Sequence, residues 1–160
     1  MNSVAVIGSG QAALAMAAFI SKAGKSVYMH YDHAHPGCLA KINNRSILTE
    51  GEINGEFTVA GIYNDIREVV NQCQIIFIVS PTYSHEAIYK KMSSCLTACH
   101  YVYNITANFS SVALRDYCGK SVVSDISLFP FACRMVDDTL NLIGRKNKVL
   151  ISSLDPSMTR

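Results

Sequence analysis

Residues 3–32 read SVAVIGSGQAALAMAAFISKAGKSVYMHYD, and this stretch decides the fold. A β-branched apolar run at Ser3–Ile7 stops at a glycine, which predicts a buried strand. The segment Gly10–Ala23 is rich in Ala, Leu and Met and predicts a helix that stops at Gly24. A second strand is predicted at Ser26–Tyr31. The stretch is therefore a strand, a glycine turn, a helix and a second strand.

The same alternation of strands and helices continues along the chain. A hairpin or irregular strand pair is predicted at Arg45–Gly61, which carries three glycines. Further strands are predicted at Ile75–Val79, His100–Ile105, Ser121–Ile126 and Lys148–Ser152, and helices at Asn64–Gln72, Ser84–Leu96 and Ser110–Tyr117. This order predicts an α/β fold of the Rossmann type, a doubly wound and mainly parallel sheet with helices on both faces, three layers in all.

Composition limits the classes of function. The 160 residues suffice for one domain with its own core, and 49% apolar with 16% charged residues is a globular balance. A net charge of +2 gives no footprint for nucleic acid or an anionic membrane. No apolar run approaches the roughly 18 residues of a membrane span, and no signal peptide is recognisable. Six cysteines without a C-x-x-C pair predict reduced core residues in a cytoplasmic protein.

The glycine turn follows the pattern Gly8-x-Gly10-x-x-Ala13. Gly8 permits the tight turn after the strand, Gly10 lets a pyrophosphate approach the backbone, and Ala13 lets the helix lie close to the sheet. The helix N-terminus adds free N–H donors and a partial positive charge. The residues predicted to hold the pyrophosphate of a dinucleotide are Gly8, Ser9, Gly10, Gln11 and Ala12. The alternative is a strand–turn–helix unit whose glycines serve packing alone.

Asp32 lies just beyond the second strand, where the acid that binds the adenosine ribose is expected. Its carboxylate can accept hydrogen bonds from both ribose hydroxyls and would repel a 2′-phosphate, which favours NAD over NADP. His33, His35 and Lys41 follow closely and weaken that repulsion. NADP therefore stays open as the cofactor.

The opposite end of a dinucleotide is predicted to lie along Ser80, Pro81 and Thr82, after the most apolar strand. The alternative is an ordinary turn with Ser84 as the helix cap and His85 exposed instead of facing the cofactor. The weaker candidates for ligand contact are Thr106, Asn108 and Arg134. Metal sites at His33–His35 or at Cys95–His100 are conceivable, but no metal is predicted. No residue stands out as the general acid that hydride chemistry needs.

Several segments resemble the octopine/nopaline (opine) dehydrogenase family, in the same order. They are the opening stretch, Ile53–Gly55, Asp65–Val70, Ile75–Pro81, SDISLFPFACRMV at residues 124–136 and KVLISSLDP at residues 148–156. Departures from the family pattern occur at Ala13, at Ser80 and Thr82 around the proline, and at Asp125, where the family usually has Glu. These departures affect substrate identity more than fold.

The resemblance implies the NAD(P)-binding domain of an enzyme that reductively condenses an amino acid amine with an α-keto acid, including enzymes of opine metallophore biosynthesis. A helical second domain with the catalytic histidine is expected to follow, so this chain is expected to bind cofactor without turnover. Two alternatives stay open: a dehydrogenase of the 6-phosphogluconate or ketopantoate reductase type, and a free-standing NAD(H)-binding module. The expected partners are small-molecule substrates, with a homodimer left open.

Overall fold

The computed structural model describes residues 2–155 and 157. Its strands are β1 (Ser3–Ile7), β2 (Ser26–His30), β3 (Ser46–Gly51), β4 (Gly55–Thr58), β5 (Gly61–Tyr63), β6 (Ile75–Ile78), β7 (Tyr101–Ile105), β8 (Val122–Ile126), β9 (Phe131–Val136), β10 (Thr139–Arg145) and β11 (Ile151–Ser153). Its helices are α1 (Gln11–Lys22), α2 (Ile66–Val70), α3 (His85–Met92) and α4 (Ser110–Ala113).

The main sheet has the order β11-β8-β7-β6-β1-β2-β5. Its strands run parallel except β11, which pairs antiparallel with β8. The chain builds outward from β1 in one direction through β2 and β5, and in the other through β6, β7 and β8. The carboxyl ends of β1, β2 and β6 therefore meet where the winding reverses, which is where an open α/β sheet forms its ligand crevice.

Two apolar cores cover the two faces of this sheet. Along β1, Val4 and Val6 belong to the core that contains α1, whereas Ala5 and Ile7 belong to the core that contains α2 and α3. Burial on both faces explains why the central strands read as continuous apolar runs. The predicted Rossmann-type α/β fold, doubly wound and three-layered, is confirmed.

A second sheet, of order β4-β3-β10-β9, was not predicted from the sequence. It packs against α1, and the ring centroids of Phe19 and Phe131 lie 5.1 Å apart across that contact. Leu140 and Leu142 of β10 are completely buried in the α1 core. The predicted strand pair at residues 45–61 divides accordingly. Its β3–β4 hairpin belongs to the small sheet, and the next strand, β5, joins the main one.

The predicted helices are longer than those in the structure. The helix predicted at Ser84–Leu96 is α3 with a 3-10 turn at each end. The helix predicted at Ser110–Tyr117 is the single turn of α4 followed by a 3-10 turn. Serine side chains at such positions compete for backbone hydrogen bonds and weaken continuous helix. Pro156, which completes the last family-like segment, lies outside the described residues.

Candidate functional site

The predicted site residues follow three neighbouring strands at the carboxyl edge of the main sheet. Residues 8–12 follow β1, Asp32 follows β2, and residues 80–82 follow β6. The Gly8 N–H donates to the His30 carbonyl at 3.1 Å, and the Val79 N–H donates to the Ile7 carbonyl at 2.8 Å. These bonds hold the three strand ends together at the crevice.

Gly8 has a position that only glycine fits. Its φ of +147° belongs to a region that side chains rarely adopt, and a Cβ there would lie 2.2 Å from the Val79 carbonyl oxygen. The same Cβ would lie 3.3 Å from the Cβ of Ala13. Gly8 therefore lets β1 turn closely past β6 and beneath α1, which is the role predicted for it.

Gly10 is a glycine for a different reason. It caps α1 with φ −80° and ψ 173°, a conformation open to most residues, and a Cβ built on it meets nothing within 4 Å. The protein itself therefore does not require glycine here, and the space beside the Gly10 backbone is free. No side chain caps the helix, whose first backbone bond runs from the Leu14 N–H to the Gly10 carbonyl. The N-terminal amides of α1 can thus donate to an anion placed in that space.

Ser9 is held by the loop that follows β2. Its carbonyl accepts the Cys38 N–H at 2.7 Å and the Leu39 N–H at 3.2 Å, and its hydroxyl donates to the His35 carbonyl at 2.8 Å. Gly37 makes this packing feasible, because a Cβ there would lie 2.6 Å from the Ser9 carbonyl oxygen. With its hydroxyl engaged in this way, Ser9 offers an anion its backbone amide.

Gln11 and Ala12 divide their roles between side chain and backbone. The Gln11 Oε1 accepts the Met135 N–H of β9 at 3.1 Å, so this side chain ties α1 to the small sheet. Ala12 packs its methyl group against the α1 core. Both residues can therefore serve an anion through the first-turn amides of α1, as the sequence predicts.

Asp32 presents its carboxylate at the rim of the crevice. Its Oδ1 accepts the Ala34 N–H at 3.0 Å, and its Oδ2 lies 3.2 Å from the Nζ of Lys91 on α3. The Ala34 amide and the Lys91 ammonium together hold the pKa of Asp32 below its usual value. The side chain stays ionised and about half exposed, and it keeps lone pairs for further donors.

Residues 80–82 form the turn from β6 into α3. Pro81 and Thr82 are exposed and Ser80 is partly buried. The Thr82 hydroxyl donates to the Thr106 carbonyl at 3.3 Å, which joins this turn to the loop after β7. That loop places Thr106, Asn108 and Phe109 at positive φ values of 57°, 44° and 65°. The Ser84 hydroxyl lies 2.7 Å from the Pro81 carbonyl and gives no side-chain cap to α3.

His85 is neither exposed nor facing the crevice, as the two sequence interpretations had it, because its ring is completely buried. One nitrogen, Nε2, lies 3.0 Å from the Ser80 carbonyl, and the other lies 2.9 Å from the Ser110 hydroxyl. Burial lowers the pKa of His85. The Ser80 carbonyl can only accept, so Nε2 is protonated and donates to it, and the Ser110 hydroxyl beside Nδ1 donates to the Ala107 carbonyl at 2.6 Å. His85 therefore supports the turn from below and does not face a ligand.

A buried polar network near this edge was not predicted. The Tyr89 hydroxyl donates to the Asn104 Oδ1 at 3.0 Å, and the Asn104 amide donates to the Asp125 Oδ1 at 2.9 Å. The Ser111 hydroxyl donates to the Asp125 Oδ2 at 2.8 Å. Asp125 thus holds β7, β8 and α4 together. The signal was an asparagine inside the apolar run YVYNI at residues 101–105.

The weaker candidate residues from the sequence lie at separate places on the surface. Arg134 lies exposed on β9, and His33 and His35 lie exposed in the loop after β2. All six cysteines are free, but Cys99 is exposed, so the prediction of core positions does not hold for it. Within residues 2–155 and 157, no three His, Cys, Asp or Glu side chains come together to hold a metal, and no helix is long and apolar enough to cross a membrane.

A known sequence family matches the part of the chain that holds this site. The sequence model described as NAD-dependent glycerol-3-phosphate dehydrogenase N-terminus matches residues 3–111. The chain belongs to this family. The matched range runs from β1 into α4 and so includes the glycine turn, Asp32 and the turn after β6.

The chain is also similar to D-nopaline dehydrogenase of Agrobacterium vitis. The two are 31% identical over 93 residues, which cover 57% of this chain and 22% of that enzyme. The matched segment therefore spans less than a quarter of the length of this relative. The D-nopaline dehydrogenase of Agrobacterium tumefaciens matches at 30% over the same length.

Solved structures share the fold. Octopine dehydrogenase, solved with NADH and pyruvate, superposes with a TM-score of 0.80 at 13% identity, covering 97% of this chain and 44% of that one. Yersinopine dehydrogenase, solved with bound NADP+, superposes with a TM-score of 0.69 at 12% identity, covering 99% and 43%. At these identities the likeness establishes the Rossmann-type fold alone.

Proposed function

We propose that residues 1–160 form the NAD(P)H-binding domain of an opine-type dehydrogenase. The observation that carries the proposal is the open space beside the Gly10 backbone at the uncapped N-terminus of α1. The family membership and the 31% identity to D-nopaline dehydrogenase support it.

In this proposal, different residues of the chain contact different parts of the cofactor. The amides of residues 9–12 donate to the pyrophosphate, and Gly8 keeps the turn compact enough to present them. Asp32 accepts the hydroxyl protons of the adenosine ribose. Ser80, Pro81 and Thr82 line the nicotinamide end, held in place by His85 from below. NAD is preferred over NADP, and yersinopine dehydrogenase supports keeping NADP as the second choice.

The bound reduced nicotinamide supplies a hydride. The proposed substrates are an amino acid and an α-keto acid, whose condensation product receives that hydride. Octopine dehydrogenase binding pyruvate supports the keto acid. No catalytic acid is assigned to this chain: His85 beside the nicotinamide end is buried with both nitrogens engaged, and His33 and His35 lie on the ribose side.

Titration of the chain with NADH and NADPH, followed by the fluorescence of the reduced nicotinamide, tests cofactor binding. Oxidation of the cofactor is then assayed with pyruvate plus single amino acids, and with dihydroxyacetone phosphate or ketopantoate as competing substrates. We expect binding without turnover in this chain, and turnover with keto acid plus amino acid in a longer protein that carries it. Turnover with dihydroxyacetone phosphate or ketopantoate alone would contradict the opine assignment, and absence of binding would contradict the whole proposal.

A cytoplasmic location and a homodimer remain predictions. The six free cysteines support a reducing compartment. Sedimentation of the purified chain would test the oligomeric state.

A further inference from the structure

Lys91 is the cation that meets Asp32 at the ribose end of the crevice. It comes from α3, 59 residues along the chain from Asp32, and its Nζ lies 3.2 Å from the Asp32 Oδ2. Both side chains are about half exposed, so solvent and a ligand can reach the pair. The cations expected from the sequence, His33, His35 and Lys41, are not the ones that contact this carboxylate.

The neighbouring cations already have other partners. Arg67 makes a two-point contact with Asp65, with Nη2 2.7 Å from Oδ2 and Nε 3.0 Å from Oδ1. Lys90 lies 2.7 Å from Glu86 on the same helix. Burial lowers the pKa of His30, so this ring, close to Asp32, stays neutral at pH 7. Among the described cations, Lys91 is the one in direct contact with the Asp32 carboxylate, and this places it to turn toward an incoming anion.

There is space for such an anion beside Lys91. A cleft of about 450 Å³ opens there, lined by Asn64, Asp65, Ile66, Arg67, Lys91 and Ser94. Lys91 lines this cleft, and its ammonium contacts the Asp32 carboxylate. A phosphate ester carried on the ribose 2′ oxygen would be placed within reach of the ammonium, on a long and flexible side chain.

We infer that Lys91 determines whether the adenosine ribose is accepted with a 2′-phosphate. In this assignment, which rests on the proposed cofactor-binding function, Asp32 accepts the 2′ hydroxyl of NADH, and Lys91 stays on the carboxylate. With NADPH, Lys91 moves to the 2′-phosphate and offsets the charge of Asp32, which alone would repel it. The pair makes the site neutral, so the chain binds both cofactors.

Three variants test this in the purified chain. Lys91→Met keeps the length of the side chain without its charge, Lys91→Arg keeps the charge, and Lys90→Met is the matched control one residue away. We expect Lys91→Met to raise the Kd of NADPH about tenfold, because a partly exposed charge-assisted contact to phosphate is lost. The Kd of NADH should stay within about twofold, and Lys91→Arg and Lys90→Met should bind both cofactors like the unaltered chain.

The outcomes separate the two proposals. Equal loss of both cofactors in Lys91→Met, or no loss of NADPH, overturns the role of Lys91 while cofactor binding stands. Binding of NADH without NADPH by the unaltered chain also overturns it. Failure of the unaltered chain to bind either cofactor overturns the proposed function and this inference together. We expect each variant to unfold at the same urea concentration as the unaltered chain, because the substituted side chains are exposed.

Discussion

Substitution of Gly10 by alanine should weaken cofactor binding about 10- to 100-fold and leave the fold nearly unchanged. The Gly10 backbone, at φ −80° and ψ 173°, accepts alanine, and the added Cβ meets no protein atom within 4 Å. Replacing glycine by alanine at a helix N-cap costs about 0.5–1 kcal/mol. The same methyl group stands where the pyrophosphate must approach the backbone. Losing one or two charge-assisted hydrogen bonds of about 1.5 kcal/mol each raises the Kd about 10- to 100-fold.

Gly8→Ala provides the matched contrast. Its Cβ would lie 2.2 Å from the Val79 carbonyl oxygen, at a φ of +147°. The backbone strain costs about 1–3 kcal/mol and the overpacking costs about as much again. A domain is typically stable by about 5–15 kcal/mol, so Gly8→Ala should lose a large part of its free energy of unfolding.

Urea denaturation and NADH fluorescence, applied to both variants, separate the two effects. We expect Gly10→Ala to unfold at nearly the same urea concentration as the unaltered chain and to bind NADH with a Kd raised about 10- to 100-fold. We expect Gly8→Ala to unfold at a much lower urea concentration. If Gly10→Ala binds NADH with unchanged Kd, the space beside Gly10 is not the pyrophosphate site.

Three more predictions concern single residues. Asp32→Ala should raise the Kd of NADH about tenfold, because a charged acceptor for the ribose is lost, and should not raise the Kd of NADPH, because the repulsion of a 2′-phosphate is lost with it. Fluorescence titration measures both constants, with Asp138→Ala, on an exposed turn, as the control. The folded chain lowers the pKa of buried His30 and His85 below 6.5, so the unfolded chain binds protons first as the pH falls. Stability should therefore decline from pH 6.5 downward, by at most about 1.4 kcal/mol per pH unit per histidine, and constant stability in urea titrations from pH 7 to pH 5 would refute this. Tyr89→Phe should lower the free energy of unfolding by about 1–2 kcal/mol by leaving the Asn104 oxygen unpaired, with the Kd of NADH unchanged.

The central strands and the glycine turn could be predicted because their signals are local. Strand β1 is buried on both faces and reads as a continuous apolar run, and the glycines of the turn follow it directly. Gly8 has to be glycine because its backbone lies against Val79, which follows β6. The glycine pattern predicts this requirement, since it marks the tight turn that follows the first strand of such a unit.

The small sheet could not be predicted with the same ease, because its pairing is not local. Strand β3 pairs with β10, about 90 residues later in the chain, and covers α1 only once both hairpins are present. One local signal was missed: β9 and β10 are joined by Asp137-Asp138, and Asp137 has a φ of 51°. A two-residue turn of this kind is typical of a tight hairpin.

The side-chain partners of the site also lay beyond the sequence pattern. Lys91 of α3 contacts Asp32, which follows β2, and Ser110 of α4 lies against the buried ring of His85. Spacing along the chain carries no information about either contact. The interpretation of His85 as exposed or facing a ligand was wrong for that reason.

The amide chemical shifts of the chain, followed during titration with NADH, show where the pyrophosphate binds. We expect the largest changes on the amides of residues 9–12, with smaller ones around Asp32 and residues 80–82. The opposite edge of the sheet offers a polar cleft lined by Asn2, Gln74 and His100, among others, as the place for any competing response. If the changes are confined to that cleft and the amides of residues 9–12 do not shift, the glycine turn is not the pyrophosphate site.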